Sequence, residues 1–184
     1  MSTVYVPRDA GAQSLGADEV AQAIAAEAKR RGLSVNLVRN GSRGHYAIEP
    51  LVEVVTAAAR IAYGPVTVAD VPALFDAGFL EGKAHALAHG PTEQIPWFKG
   101  QQRLTFARVG IVDPASVADY MKQGGYAGLT GALAMDGAAV VAAILESGLR
   151  GRGEEGFPPR MQANKVLLAP PDMYNGSCDA HEGD

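Results

Sequence analysis

The sequence predicts an α/β fold, with a mixed strand and helix unit first and a helical, strand-poor continuation after it. Three observations predict this. Two β-branched tracts flank one amphipathic helical pattern near the start, which makes a βαβ unit. Two further short apolar tracts follow, four residues apart, a spacing that suits a hairpin. Beyond residue 100, three helical patterns appear between glycines, with little strand signal.

Taken in order, "TVYVP" (3–7) alternates β-branched and aromatic residues and reads as the first strand. A helix follows at about 17–31, because Val20, Ile24 and Ala28 recur four apart on one face. Lys29, Arg30 and Arg31 occupy its last turn, where cations suit the helix dipole, and Gly32 stops it. "LSVNLVR" (33–39) is the second strand, and "LVEVV" (51–55) and "RIAYG" (60–64) are the third and fourth. "VADVPALFDAG" (68–78) predicts a short helix with Asp70 as N-cap. The order β-α-β-β-β-α is that of a thioredoxin-like domain, here spanning 1–80. Residues 81–100 lack periodicity and contain Gly82, Gly90, Pro91 and Pro96, which predicts a linker or an extended crossing segment. Asp113-Pro114 then has the form of an N-cap followed by proline at the first helical position. That helix runs to about 122, a second covers about 126–134, and a third covers 137–147 with Val140, Val141, Ile144 and Leu145 in a stripe. A domain begun at residue 100 looks unfinished, because some 85 residues with three helices bury too little surface alone.

Composition narrows the function. Hydrophobic content of 47% and charged content of 20% over 184 residues belong to a globular protein with a real core. The net charge of −4, with scattered Lys and Arg, predicts no nucleic-acid partner. The single cysteine, Cys178, excludes an internal disulfide and a multi-thiolate zinc site. No signal-peptide pattern and no long apolar run appear, so the expectation is a soluble cytoplasmic protein without a membrane span.

Longer stretches carry a resemblance. "RLTFARVGIVDPASVADYMKQGGYAGLTGALAM", followed by "ILESGLRGRG" and "GFP", resembles the start of the FMN- and NADH-binding flavoprotein subunits. These occur in respiratory complex I, in NAD-reducing hydrogenases and in NAD-dependent molybdenum or tungsten formate dehydrogenases. The preceding tracts "GADEVAQAIAAEAKRRG", "VRNGSRG", "EPLVEV", "AYGPV" and "ADVPALFDAG" are most similar to the formate dehydrogenase β subunit, in which a thioredoxin-like domain precedes the flavin domain. The resemblance implies that the chain corresponds to roughly the N-terminal third of such a subunit. The fold class it implies is a thioredoxin-like domain lacking a cluster, then the incomplete helical start of an FMN-binding domain over 101–184.

The cluster is excluded by residue type. Thioredoxin-like ferredoxins hold a [2Fe-2S] cluster on four cysteines, spaced C-x4-C after strand one and C-x3-C in a later loop. The resemblance places Pro7 and Ala12 at the first pair and Arg39 and Arg43 at the second, and none is a thiolate. Two readings of the unit remain open: a fold kept for packing or docking, or a basic contact for an acidic partner surface.

The glycine loop carries the implied flavin site. Its family pattern is G-R-G-G-A-G-F-P-T-G-x-K-W, and Gly151, Arg152, Gly153, Gly156, Phe157 and Pro158 match. The resemblance implies that the loop backbone binds FMN and that Phe157 lines the nicotinamide site. A further family motif, C-N-A-D-E-G-D, falls on Cys178, Asp179, Ala180, His181, Glu182, Gly183 and Asp184, and places Asp179 and Glu182 among the cofactor-binding residues. Four departures weigh against FMN retention: Glu154 and Glu155 stand for Gly and Ala, Gln162 for the Lys, and Ala163 for the Trp. Each glutamate puts a like charge beside a phosphate, worth roughly 2–3 kcal/mol at 6 Å and an effective dielectric of 20. No catalytic residue and no metal ligand is expected. His85 and His89, four apart, are expected to be packing or solvated histidines, and Cys178 a small buried residue.

The function so implied is electron transfer from formate oxidation through Fe–S clusters and FMN to NAD+. FMN and NAD are the implied cofactors of the parent subunit, and this chain alone is expected to be inactive. The implied partners are a molybdenum- or tungsten-pterin catalytic α subunit and a small Fe–S subunit. The competing reading is a cluster-free docking module without redox activity.

Overall fold

A computed structural model describes residues 1–104 and 106–148. The chain divides into two compact units, 1–124 and 125–184. In the first, β1 (Ser2–Pro7) leads through α1 (Ala10–Ser14) and α2 (Ala17–Arg30) to β2 (Val35–Asn40), which pairs parallel with β1. A parallel pair needs such a crossover, since a tight turn can only return a strand antiparallel. β3 (Val52–Val55) then pairs antiparallel with β1, and β4 (Arg60–Tyr63) antiparallel with β3. The order β2-β1-β3-β4, with one parallel and two antiparallel pairs, is the thioredoxin-like arrangement.

Alternation along the strands makes two faces. Val4, Val6, Val52, Val54 and Tyr63 point to one side, where Val20, Ile24 and Ala28 of α2 and Leu74 and Phe75 of α3 (Val71–Asp76) close the core. Burying each large side chain there contributes roughly 1.5–3 kcal/mol. At the end of α2, Arg30 and Arg31 both bond Glu27 and hold its carboxyl down to about 2. Arg31 also bonds the Pro72 carbonyl and pairs with Asp76, which ties α2 to α3.

Three sequence expectations are corrected. First, residues 81–100 do not read as a linker: β5 (Ala88–Pro91) pairs antiparallel with β4 and extends the sheet to five strands. α4 (Pro96–Lys99) follows it, and Ile95 and Phe98 pack with Leu51 and Ala62 in a second cluster on the other face. The glycines and prolines that hide the periodicity sit at the strand and its turns. Second, the 68–78 helix begins as a 3-10 turn, Val68–Asp70; Asp70 stands at the N-cap position of α3 as expected, but its side chain makes no capping bond there. Its Oδ2 accepts from the Thr67 amide (2.8 Å) and hydroxyl (2.6 Å), as the acid of a capping box does, and these bonds lower its pKa. Third, α5 (Val117–Lys122) starts three residues later than Asp113-Pro114 predicts, with Ser116 as N-cap accepting from the Asp119 amide. Asp113 instead forms a local turn, accepting from the Ala115 amide.

In the second unit, α6 (Ala127–Leu133) and α7 (Gly137–Ser147) fall where the glycine punctuation predicts them. Asp136 caps α7 by accepting from the Ala139 amide at 2.7 Å, and Gly148 ends it in the left-handed conformation. Of the predicted stripe, Val141 is buried, while Leu145 is exposed.

Candidate functional site

The two loops after β1 and β2 meet at one end of the sheet, as parallel neighbouring strands require. Pro7 and Ala12 are buried there and supply no donor side chain. Asp9, between them, caps α1 through Oδ1 and accepts from the Ser42 amide through Oδ2, so one carboxylate ties the two loops together. Arg39 lies across β1: its guanidinium donates to the carbonyls of Val6 (3.1 Å) and Pro7 (2.9 Å) and pairs with Asp18 at the start of α2.

Arg43 enters the far face of the sheet. Its Nε and Nη2 bind the two oxygens of Glu53 at 2.9 and 3.2 Å, and its Nη1 binds Glu93 at 2.8 Å. The side chains of Arg43 and Glu53 are 4% and 2% exposed, so this is a buried pair. Burial works against the Arg43 charge, but the two carboxylates outweigh it and its pKa stands above the ordinary arginine value. Arg60 approaches Glu53 at 3.6 Å from the side and stacks 3.7 Å from the centre of the Tyr5 ring. Two shallow cavities of about 370 and 300 Å³ flank this group and share Arg43, Glu93 and Ile111 in their walls.

The expectation of a basic contact surface does not hold at these positions. Arg43 spends its guanidinium on Glu53 and Glu93, and Arg39 turns its Nε and Nη2 to Val6, Pro7 and Asp18. The donor set also does not fit an iron–sulfur cluster, because guanidinium groups are cations and iron here would need thiolates. Among the described residues, no group of three or more His, Cys, Asp or Glu could hold a metal ion. His89 Nε2 donates to the Gly64 carbonyl at 2.7 Å, and His85 Nδ1 accepts from the Leu87 amide at 3.2 Å, so both have structural roles.

Glu49 holds the second loop closed. It accepts from the Ser42 hydroxyl and the Leu51 amide, each at 2.8 Å. Burial, which outweighs these bonds, raises its pKa, with Asp9 and Glu53 adding repulsion. A raised carboxylate binds its proton more tightly in the folded state, so its contribution to stability falls as pH rises from the ordinary glutamate range to the raised value, and is level above it. Glu49→Gln keeps an acceptor for Leu51 and gives Ser42 a donor. The variant is therefore expected to gain stability relative to the parent as pH rises above the ordinary glutamate range. Urea melts across that rise test this, and parallel profiles for the two proteins would refute it.

Every cofactor-binding residue expected from the sequence, namely Gly151, Arg152, Gly153, Gly156, Phe157, Asp179 and Glu182, lies outside the described residues, as do Glu154, Glu155 and Cys178. Sequence reasoning missed Glu53, Glu93, Arg60 and Asn40. Glu53 did leave a signal: a carboxylate in the middle of "LVEVV" faces away from the core, and it needs a cation if anything covers that face.

No family model matches the chain. It is 41% identical over 86 residues to the NADP-reducing hydrogenase subunit HndC of Solidesulfovibrio fructosivorans, a stretch that is 47% of this chain and 18% of that protein's length. Among solved structures it is similar to the wild-type thioredoxin-like [2Fe-2S] ferredoxin of Aquifex aeolicus, with a TM-score of 0.41 and 20% identity over 49% of this chain and 97% of that one. A cysteine-to-serine variant of the same ferredoxin gives 0.42 and 22%, over 49% and 99%.

Proposed function

We infer that the chain corresponds to the N-terminal part of an electron-transfer flavoprotein subunit in a multi-subunit, NAD-linked oxidoreductase of the cytoplasm. The observation that carries this reading is the 41% identity over 86 residues to a subunit of an NADP-reducing hydrogenase. In its finer form the parent is the β subunit of an NAD-dependent formate dehydrogenase, because the tracts before residue 80 resemble that subunit most. Its partners are then a molybdenum- or tungsten-pterin α subunit and a small Fe–S subunit. FMN, when bound, would take up electrons from formate oxidation and deliver hydride to NAD+. The loop of Gly151, Arg152, Gly153 and Gly156 would hold FMN, Phe157 would line the nicotinamide site, and Asp179 and Glu182 would complete the cofactor contacts. The thioredoxin-like domain would extend from residue 1 through β5 and α4, and the flavin-domain start would lie within 101–184.

A second reading is favoured by a specific observation. The ion pairs of Arg39 and Arg43 fill the loops where related ferredoxins carry iron, which supports a unit that docks without passing electrons. The two readings agree for a parent enzyme whose redox groups lie elsewhere.

Flavin content tests the proposal. The parent complex purified with this chain is expected to hold less than one FMN per chain. Glu154→Gly, Glu155→Ala and Gln162→Lys together should tighten FMN binding about a hundredfold or more, since a charge-assisted bond alone is worth about 1.5–3 kcal/mol. A full equivalent of flavin in the unaltered complex would refute the weak-binding assignment. Absence of any formate- or hydrogen-dependent NAD(P)+ reduction in the complex supplied with saturating FMN would refute the parent assignment.

A further inference from the structure

We propose that residues 108–113 form an intramolecular strap that occupies the loops after β1 and β2, so that this end of the sheet is already filled by the chain itself and the sheet and α5 move as one body. The observations are contacts within residues 1–124, which cluster as one compact unit, and they do not depend on which oxidoreductase is the parent. The strap pairs with the second loop as a short strand would: the Gly110 amide donates to the Gly41 carbonyl at 3.1 Å, and the Gly41 amide donates to the Val112 carbonyl at 3.0 Å. The Gly110 carbonyl accepts twice, from Asn40 Nδ2 at 3.1 Å and from Arg60 Nη1 at 2.6 Å. Arg8, just beyond β1, reaches Asp113 at 3.1 Å and fixes the far end.

Gly110 is the point of closest approach. It is buried, with φ +75°, and a Cβ there would lie 2.5 Å from Cζ of Arg43. Only glycine meets both demands, since other residues pay for the left-handed conformation and have no room above the guanidinium. Asn40 is 2% exposed and makes its side-chain bond to the strap, where a buried amide must find partners or lose stability. Three separate stretches of the sheet unit, at residues 8, 40–43 and 60, thus converge on six residues that follow them by 50 or more positions.

Residue-resolved hydrogen exchange on the full chain tests the strap. In the double variant Arg8→Ala, Asn40→Ala, exchange at the Gly41 and Gly110 amides is expected to quicken about tenfold or more, as loss of these bonds implies. Amides of β1 and β3 should keep their protection. Arg8→Ala alone, at a partly exposed residue whose loss leaves the core intact, should show the same pattern with a smaller factor. Asp18→Ala, which frees Arg39 on the neighbouring strand, should leave the strap amides unchanged. Unchanged exchange at Gly41 and Gly110 in both strap variants would overturn the proposal, as would equal acceleration across strap and sheet.

Discussion

Replacing Arg43 by methionine is expected to destabilise the 1–124 unit by about 3–5 kcal/mol, because it strands the Glu53 carboxylate in a buried site. Glu53 lies on the central strand β3, with Tyr5 and Ala62 as its neighbours in register, and cannot turn out to water without breaking that pairing. Arg60 remains nearby but is 3.6 Å away and stacked on Tyr5, so it replaces only part of the lost pairing. Arg43→Met combined with Glu53→Leu should cost less than Arg43→Met alone, since no buried charge is then left without a partner. The cycle is thus expected to be strongly non-additive. Urea unfolding of the four proteins is the measurement, and a double variant no more stable than the single would contradict the assignment.

Gly64→Ala is expected to cost at least about 3 kcal/mol, at the upper end of overpacking effects. A Cβ at Gly64 would sit 2.1 Å from the Ile48 carbonyl oxygen and 3.1 Å from Cδ1 of Leu51. Neither side of that contact yields easily. The Gly64 amide donates to the Leu87 carbonyl, its own carbonyl accepts from His89, and Leu51 belongs to the second cluster. Gly90→Ala is the control. Gly90 has φ +78° and open space around its Cβ direction, so the change should cost only the left-handed strain of about 1–2 kcal/mol. Thermal melts of both variants decide the matter, and a Gly64→Ala loss no larger than that of Gly90→Ala would refute the packing argument.

Much of the first unit was legible because its elements are periodic. The four-residue recurrence of Val20, Ile24 and Ala28 gives α2 nearly to the residue, and the β-branched tracts give four strands. β5 escaped because "AHGP" has no alternation, and what makes it a strand is its pairing with β4, a non-local cause. The start of α5 was misplaced for a different reason: Asp113 and Ser116 both have capping chemistry, and Arg8, 105 positions away, engages the first. At the site, residue type was legible directly: Pro7, Ala12, Arg39 and Arg43, where the resemblance expects cluster ligands, offer no thiolate. What sequence could not disclose was where those arginines point. Arg39 and Arg43 look like a surface pair in "RNGSR", and only the arrival of Asp18, Glu53 and Glu93 from other elements turns them inward.

The filling of the two loops by paired charges has a consequence for how the unit matures. A fold that closes around a metal draws part of its stability from metal binding and loses that part when the metal is withdrawn. Here the closing parts are side chains already covalently present, so assembly of this end of the sheet needs no cofactor supply and no reductant. The dependence is transferred from iron to salt: high ionic strength would weaken the partly exposed pairs of Arg39 with Asp18 and of Arg43 with Glu93, and with them the closure of these loops.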